Sequence, residues 1–299
     1  MPTHSQRRIP RRLSLSLPIA GAFLAVTAGA SLAQSPSTGA LGAIDHPTGP
    51  TDVVLSLETG GGFVPFGYFM TQAPTFVLYG DNSVIFRPSV DPEGTGFPPF
   101  VKATLSPEQV DALLTYALSV GRLADADAHY VEMSVSDAPT TVFTVNAGGV
   151  DKTVSVYALD IGEHTGPDAA MYSAFQDLAA LLSTFETQVE KGQVLTAEPY
   201  QVESYRAVLS PSDLAQPDLI DWPFPDLTPA DFEPMADNPN FLLGALTPEQ
   251  LSAVTTVPSG GSPGIGVRSP DGTAAYTLQW RPLLPGEELQ PTVVGGKGF

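Results

Sequence analysis

Two short runs of β-branched and aromatic residues, Phe76–Tyr79 and Val84–Arg87, flank Gly80, Asp81, Asn82 and Ser83. Those four residues tolerate the backbone angles of a tight turn, so the segment predicts a β-hairpin. Strand side chains alternate between faces, which puts Phe76 and Leu78 on one side and Val77 and Tyr79 on the other. Both sides are apolar. Such a hairpin calls for cover on both faces or a central place in a sheet. Upstream, Asp52–Glu58 predicts another strand, ending in Gly60, Gly61 and Gly62. A phosphate loop needs Gly-Lys-Ser/Thr and a following helix. Phe63-Val64-Pro65 follows instead, so the glycines predict a bend or bulge that redirects the strand.

The remaining elements follow from capping and periodicity. Ser106-Pro107-Glu108-Gln109 has the residues of a capping box with proline at the first helical position. Val110, Leu113, Leu114, Ala117 and Leu118 then form one apolar stripe, with Gly121 as the stop. Phe100–Leu105 predicts a further short strand. Thr140–Val145 and Lys152–Tyr157 predict a second hairpin around Asn146-Ala147-Gly148-Gly149. A second helix opens at Thr165-Gly166-Pro167-Asp168 and buries Met171, Phe175, Leu178, Leu182, Phe185 and Val189 before Gly192. Residues 51–192 thus read as a β-β-α-β-β-α core, an α+β fold with a mostly antiparallel sheet built from hairpins and packed by two amphipathic helices. Residues 193–299 read as a β-rich C-terminal segment packed on the same body, because its last hairpin has too little core of its own. Its parts are a strand at Tyr200–Leu209, a Pro/Asp-rich wrapping loop over 211–239 pinned by Trp222, Phe224 and Phe232, a capped helix start at Thr247-Pro248-Glu249-Gln250, and a hairpin from Gly264–Arg268 to Thr273–Arg281.

Residues 1–33 predict a secretory signal peptide. Arg7, Arg8, Arg11 and Arg12 precede an apolar stretch, and Ser31-Leu32-Ala33 is a small-x-small cleavage site, so the mature chain starts at Gln34 and is secreted or extracytoplasmic. Arg11-Arg12-Leu13-Ser14-Leu15 partly resembles a twin-arginine signal, which leaves the export route open. No second long apolar segment follows, so no transmembrane segment is expected after cleavage. Residues 34–50 are rich in Ser, Thr, Gly, Ala and Pro and predict a flexible spacer. The chain has no cysteine, which excludes disulfides and thiolate metal sites. With 13 basic and 32 acidic residues its charge is −19. Losing the four signal-peptide arginines leaves 9 basic residues against 32 acidic ones, or −23. A surface this negative repels nucleic acid and anionic membranes.

The order YGDNSVIF, SPEQVDALL and SDAPTTVFTVNAGG resembles small secreted bacterial domains of unknown function, and the C-terminal WRPLLPGEE is similar to the ending of uncharacterised actinobacterial envelope proteins. The resemblance covers about residues 52–285. It implies an α+β sheet-and-helix fold and an extracytoplasmic life, and it carries no catalytic residue.

The Ser-x-x-Lys set is absent from the sequence, and Ser259-Gly-Gly-Ser262 reads as a linker although Gly260-Gly261-Ser262-Pro263-Gly264 spells Gly-x-Ser-x-Gly. No catalytic, cofactor-binding or metal residue is assigned, and no cofactor is expected. Asp125, Asp127 and His129 alternate, with Glu132 beyond. On an extended strand the first three would share a face suited to a cation, whereas an acidic loop after the helix explains them without one. Asp160, Glu163, His164 and Asp168 form a second polar group before the second helix. Phe63, Phe66, Tyr68 and Phe69 crowd one loop, expected to fold under it into the core. Two functions stay open. One is a non-enzymatic extracytoplasmic binding or interaction module for an unknown partner. The other is a secreted hydrolase with a cation near Asp125, Asp127 and His129.

Overall fold

A computed structural model of the chain describes residues 43–64, 67, 70–89, 98–131, 135–254 and 264–290. Residues 1–33, where a signal peptide is expected, the first part of the expected spacer, Phe66, Tyr68, Phe69 and Glu132 lie outside the described residues. The class is α+β, with fourteen strands in two mostly antiparallel sheets among the described residues. No helix among them is long and apolar enough to cross a membrane.

The first sheet contains β1 (Val53–Gly61), β2 (Phe76–Tyr79), β3 (Ser83–Phe86), β4 (Val101–Thr104), β5 (His129–Tyr130), β6 (Pro139–Ala147), β7 (Val150–Tyr157) and β8 (Thr196–Pro199). Their order is β5-β7-β6-β1-β2-β3-β4-β8. Every residue of β2 and β3 is buried, as two-sided apolar strands require. Asn82 takes the left-handed turn position at φ 65°. Each expected hairpin and helix is present, and β1, β4, β5 and β8 extend the sheet around them.

One face of this sheet, through Leu55, Leu57, Phe76, Leu78, Val84, Phe86, Phe143 and Val145, lies under the helices. Helix α1 (Pro107–Thr115) begins with the expected reciprocal cap. Ser106 Oγ accepts from the Gln109 amide at 3.3 Å, and the Ser106 amide donates to Gln109 Oε1 at 2.7 Å. The helix then widens into a π-type turn over Tyr116–Val120, where the Gly121 amide donates to the Tyr116 carbonyl at 2.8 Å. Gly121 ends the helix without a left-handed backbone; its φ is −69°, and Arg122 takes the left-handed position at φ 60°. The glycine is needed for proximity instead. A Cβ there would sit 2.9 Å from Leu178 Cδ2 of the neighbouring helix.

That neighbour, α2 (Ala169–Ser183), buries Met171, Tyr172, Phe175, Leu178 and Leu182. It was expected to run to Gly192, but it breaks at Thr184. The Thr184 hydroxyl donates back to the Ala180 carbonyl at 2.7 Å, a bond that competes with helix propagation. The break lets Phe185 drop edge-on between Phe76 and Phe86, with ring centroids 5.0 and 5.3 Å away. A short helix, α3 (Glu186–Glu190), resumes beyond it.

The spacer expectation fails for residues 43–50. Ile44 packs on the helix-side core, and its amide donates to Asp111 Oδ1 at 2.9 Å. The Asp45 carbonyl accepts from the Gly148 amide in the β6–β7 turn at 2.7 Å. Pro47 and Gly49 press on the β2–β3 turn, where a Cβ on Gly80 would lie 2.4 Å from the Pro47 carbonyl oxygen. Composition suggested a free linker, but long-range backbone hydrogen bonds hold this end as a strap.

The second sheet contains β9 (Tyr205–Ser212), β10 (Ile220–Asp221), β11 (Glu233–Pro234), β12 (Leu242–Leu246), β13 (Gly264–Arg268) and β14 (Ala275–Pro282), ordered β10-β13-β14-β9-β12-β11. The 193–299 segment therefore divides: β8 closes the edge of the first sheet and the later strands build the second. One face of the second sheet, with Ala207, Leu209, Leu246, Ile265, Val267 and Leu278, is covered by Phe224 and Phe232 of the wrapping loop. Helix α4 (Pro248–Ser252), capped by Thr247, adds Leu251 to that cluster. The other face carries Arg206, Val208, Ser210, Gln279 and Arg281 toward the first sheet. There Leu284, just past β14, packs with Val77, Tyr79 and Ile85.

The arginines of this contact are buried and Glu287 is partly so, the Arg281 and Glu287 side chains being 6% and 23% exposed. Arg281 Nη1 and Nη2 donate to the two Glu287 oxygens at 2.5 and 3.1 Å, and Glu287 also accepts from the Leu284 amide at 2.7 Å. Arg206 Nη2 donates to the Glu288 carbonyl at 2.6 Å. Burial lowers the Arg206 pKa to about 10, and the nearby Arg281 charge adds to the shift. Glu58 of β1 is pushed upward by burial, partly opposed by Arg281.

Two predictions follow from this packing. Glu287→Ala strands the Arg281 guanidinium, which is 5% exposed, and should destabilise the fold by roughly 3–5 kcal/mol in urea unfolding. A loss below about 1 kcal/mol would mean that water reaches the arginine freely. Gly80→Ala should cost about 1–3 kcal/mol by overpacking the strap and should speed hydrogen exchange at the Gly148 amide; unchanged exchange there would refute the strap contact.

Candidate functional site

Strand β10 ends at Asp221, paired in parallel with Arg268 of β13. The next residues are Trp222, Pro223, Phe224 and Pro225. Two prolines in four positions remove amide donors and forbid continued sheet pairing, so the chain leaves the sheet there. Strand β13 ends opposite, in the turn Ser269-Pro270-Asp271-Gly272. Between the departing loop and this turn opens a cleft of about 350 Å³.

Its floor is aromatic and apolar. Phe224 is buried, while Trp222 and Leu227 are half-buried. The Trp222 indole N–H donates to the Leu227 carbonyl at 2.6 Å, so the ring is tied to the loop it lies on. Trp222 also meets Phe224 edge-on at 5.4 Å and Phe232 at 6.1 Å. Packing and one hydrogen bond together fix its position.

The rim is polar. Arg268 Nη1 and Asp221 Oδ1 are 3.4 Å apart, with side chains 42% and 94% exposed. A pair this long and wet adds little to stability. The hydroxyls on the rim are already engaged. Thr228 donates to Asp231 Oδ2 at 2.8 Å, and Ser269 donates to Asp271 Oδ1 at 2.6 Å. Asp271 also accepts from the Thr273 amide and hydroxyl. The Ser269 hydroxyl, followed by these Thr273 groups, holds the Asp271 carboxyl at about 2. The carboxylates beside the two hydroxyls thus hold them within their own turns. The arrangement supplies a fixed aromatic floor with a donor and an acceptor side by side, which suits binding.

The residues singled out in the sequence lie elsewhere. Asp125 faces Arg122 across 3.5 Å and is 72% exposed. The Asp127 amide donates to the Tyr130 hydroxyl at 3.0 Å. His129 is exposed on β5, opposite Ser155 of β7. The one-face arrangement needs an extended strand from 125 to 129, but β5 is two residues long and 123–125 form a turn. Among the described residues no three His, Cys, Asp or Glu side chains come together to hold a metal. His164 stacks on Tyr172 at 3.9 Å, and its Nε2 lies 2.8 Å from the Leu159 carbonyl, which Gln176 also reaches. These contacts hold the His164 ring against the second helix.

Phe63 reverses its expectation. It is 91% exposed, because Gly61 and Gly62, at φ 82° and 81°, swing the chain outward after β1. The cleft was not legible as a site. Trp222 reads as a loop anchor, which it is, but nothing in the sequence puts Arg268 beside Asp221, 47 residues away. The one usable signal was the Trp-Pro-Phe-Pro run, which combines an aromatic surface with a forced exit from a strand.

Comparison with family models, curated proteins and solved structures returned no match to this chain.

The turn beside the cleft carries a pH dependence. Because the folded Asp271 carboxyl titrates near 2 and its reference value is 3.8, its contribution to stability is complete above about pH 4 and is lost as pH falls toward 2. Asp271→Asn should flatten that part of the acid unfolding profile. A variant that follows the parent curve between pH 4 and 2 would show that the turn does not hold the ionised form.

Proposed function

We propose that this chain is a non-enzymatic extracytoplasmic binding module. Residues 1–33 direct export, with cleavage between Ala33 and Gln34, and the folded body binds its ligand in the cleft between the 221–228 loop and the 268–272 turn. The observation that carries the reading is the rigid Trp222 floor set beside an exposed, weakly held Asp221–Arg268 pair. An aromatic surface fixed in advance loses little entropy on binding, and a loose surface pair exchanges partners at little cost. The acidic surface suits a soluble protein that works away from nucleic acid.

The test uses the protein recovered after export. Its N-terminus should be Gln34. Its tryptophan fluorescence should change saturably with at least one member of a panel of short peptides, saccharides and lipid headgroup analogues. Arg268→Ala should weaken that response about tenfold, the scale of one charged hydrogen bond. An unprocessed, cell-retained chain would defeat the export part. A panel without a saturable response, or a response that Arg268→Ala leaves intact, would defeat the cleft.

A further inference from the structure

We infer that the cleft recognises a neutral pyranose ring of an extracytoplasmic glycan, an inference that rests on the binding reading above. Size comes first. At about 350 Å³ the cleft is at the lower end of ligand sites, which run from roughly 300 to 1,000 Å³. It suits one or two rings and not a folded partner.

The chemistry of the walls narrows the choice. An indole presents an electron-rich face, which is complementary to the polarised C–H bonds on one side of a sugar ring. The Trp222 ring is held in the cleft wall by its bond to the Leu227 carbonyl and by T-shaped contacts with Phe224 and Phe232. Beside it stand a carboxylate, which only accepts, and a guanidinium, which only donates. Adjacent hydroxyls on a ring can donate to Asp221 and accept from Arg268 together. The Ser269 and Thr228 hydroxyls are committed to Asp271 and Asp231, so the rim selects through the charged pair.

Two competing ligand classes fit less well. A peptide adding to the sheet edge would need backbone partners along β10, the outer strand of the second sheet. That strand is two residues long and runs into Pro223 and Pro225, which carry no amide hydrogen. An anionic ligand would gain one cation, Arg268, would meet the Asp221 carboxylate beside it, and would face an exported chain of net charge −23, with 9 basic residues against 32 acidic ones.

The experiment is a titration of the exported protein carrying Trp280→Phe, which leaves Trp222 as its one tryptophan. The probes are neutral gluco-, manno- and galacto-configured disaccharides, a glucuronate-containing disaccharide and a proline-rich hexapeptide. Ligand-observed NMR runs alongside on the unsubstituted protein, so a poorly folded variant does not decide the result. At least one neutral disaccharide should give a saturable fluorescence change and saturation transfer from its ring C–H protons. Asp221→Asn and Arg268→Gln should each weaken it about fivefold or more, the scale of one lost hydrogen bond, with unchanged thermal unfolding. If the neutral sugars give no saturable signal while the peptide or the uronate does, through Arg268, the glycan inference is overturned and the binding module stands. If no probe binds and a wider panel is also silent, both fall. Sugar binding that neither substitution weakens places the site elsewhere and overturns this inference alone.

Discussion

A strand pair that is apolar on both faces must be covered on both, and the rest of this fold answers that demand. Strands β2 and β3 expose nothing. The two amphipathic helices and Phe185 cover one face. On the other lie Leu284, Phe100 and Tyr200, with the second sheet beyond. In a cysteine-free chain no disulfide can substitute for this cover, so burial has to come from bringing distant segments together. The strap over residues 43–50, β8 closing the first sheet's edge, and the segment after β14 are all such returns.

The contact between the sheets is less apolar than the helix side, and that has a physical consequence. Arg206, Arg281 and Glu287 are held by directional bonds with little water around them. Such groups add little net stability over a well-packed apolar contact, but they penalise misalignment heavily. Glu58 and Tyr79, both pushed upward chiefly by burial, mark how dry this layer is. The helix side tolerates repacking of similar volume; the inter-sheet side depends on each partner being present.

The wrapping loop joins stability to the proposed site. Phe224 and Phe232 bury against the second sheet, while Trp222, in the same loop, is left half-buried in the cleft. The prolines that end sheet pairing also expose that ring. One local device therefore closes a core and opens a binding surface.

Short-range physics was legible in the sequence. The hairpin turn at Gly80–Ser83, the reciprocal caps at Ser106 and Thr247, the helical stripes, the redirecting glycines and the anchoring aromatics all depend on residues within about one turn of each other, and they stand where pattern and capping put them. Propensity could not report what depends on distant neighbours. The α2 break serves Phe76 and Phe86, some hundred residues upstream. Gly121 is crowded by Leu178 of α2 as well as by the Ala117 carbonyl of its own helix, and a composition typical of linkers is held down through Asp111 and Gly148. The alternation at Asp125–His129 was real in sequence but carried no strand, since only tertiary pairing could extend it and β7 pairs with two residues there. By itself the sequence determined the elements, the α+β class and the need for two-sided cover, because these follow from local sterics and solvation. Only the tertiary structure decided the second sheet's order, the bond from Arg206 to the Glu288 carbonyl and the meeting of Asp221 and Trp222 with Arg268, because each joins segments whose separation along the chain leaves no local trace.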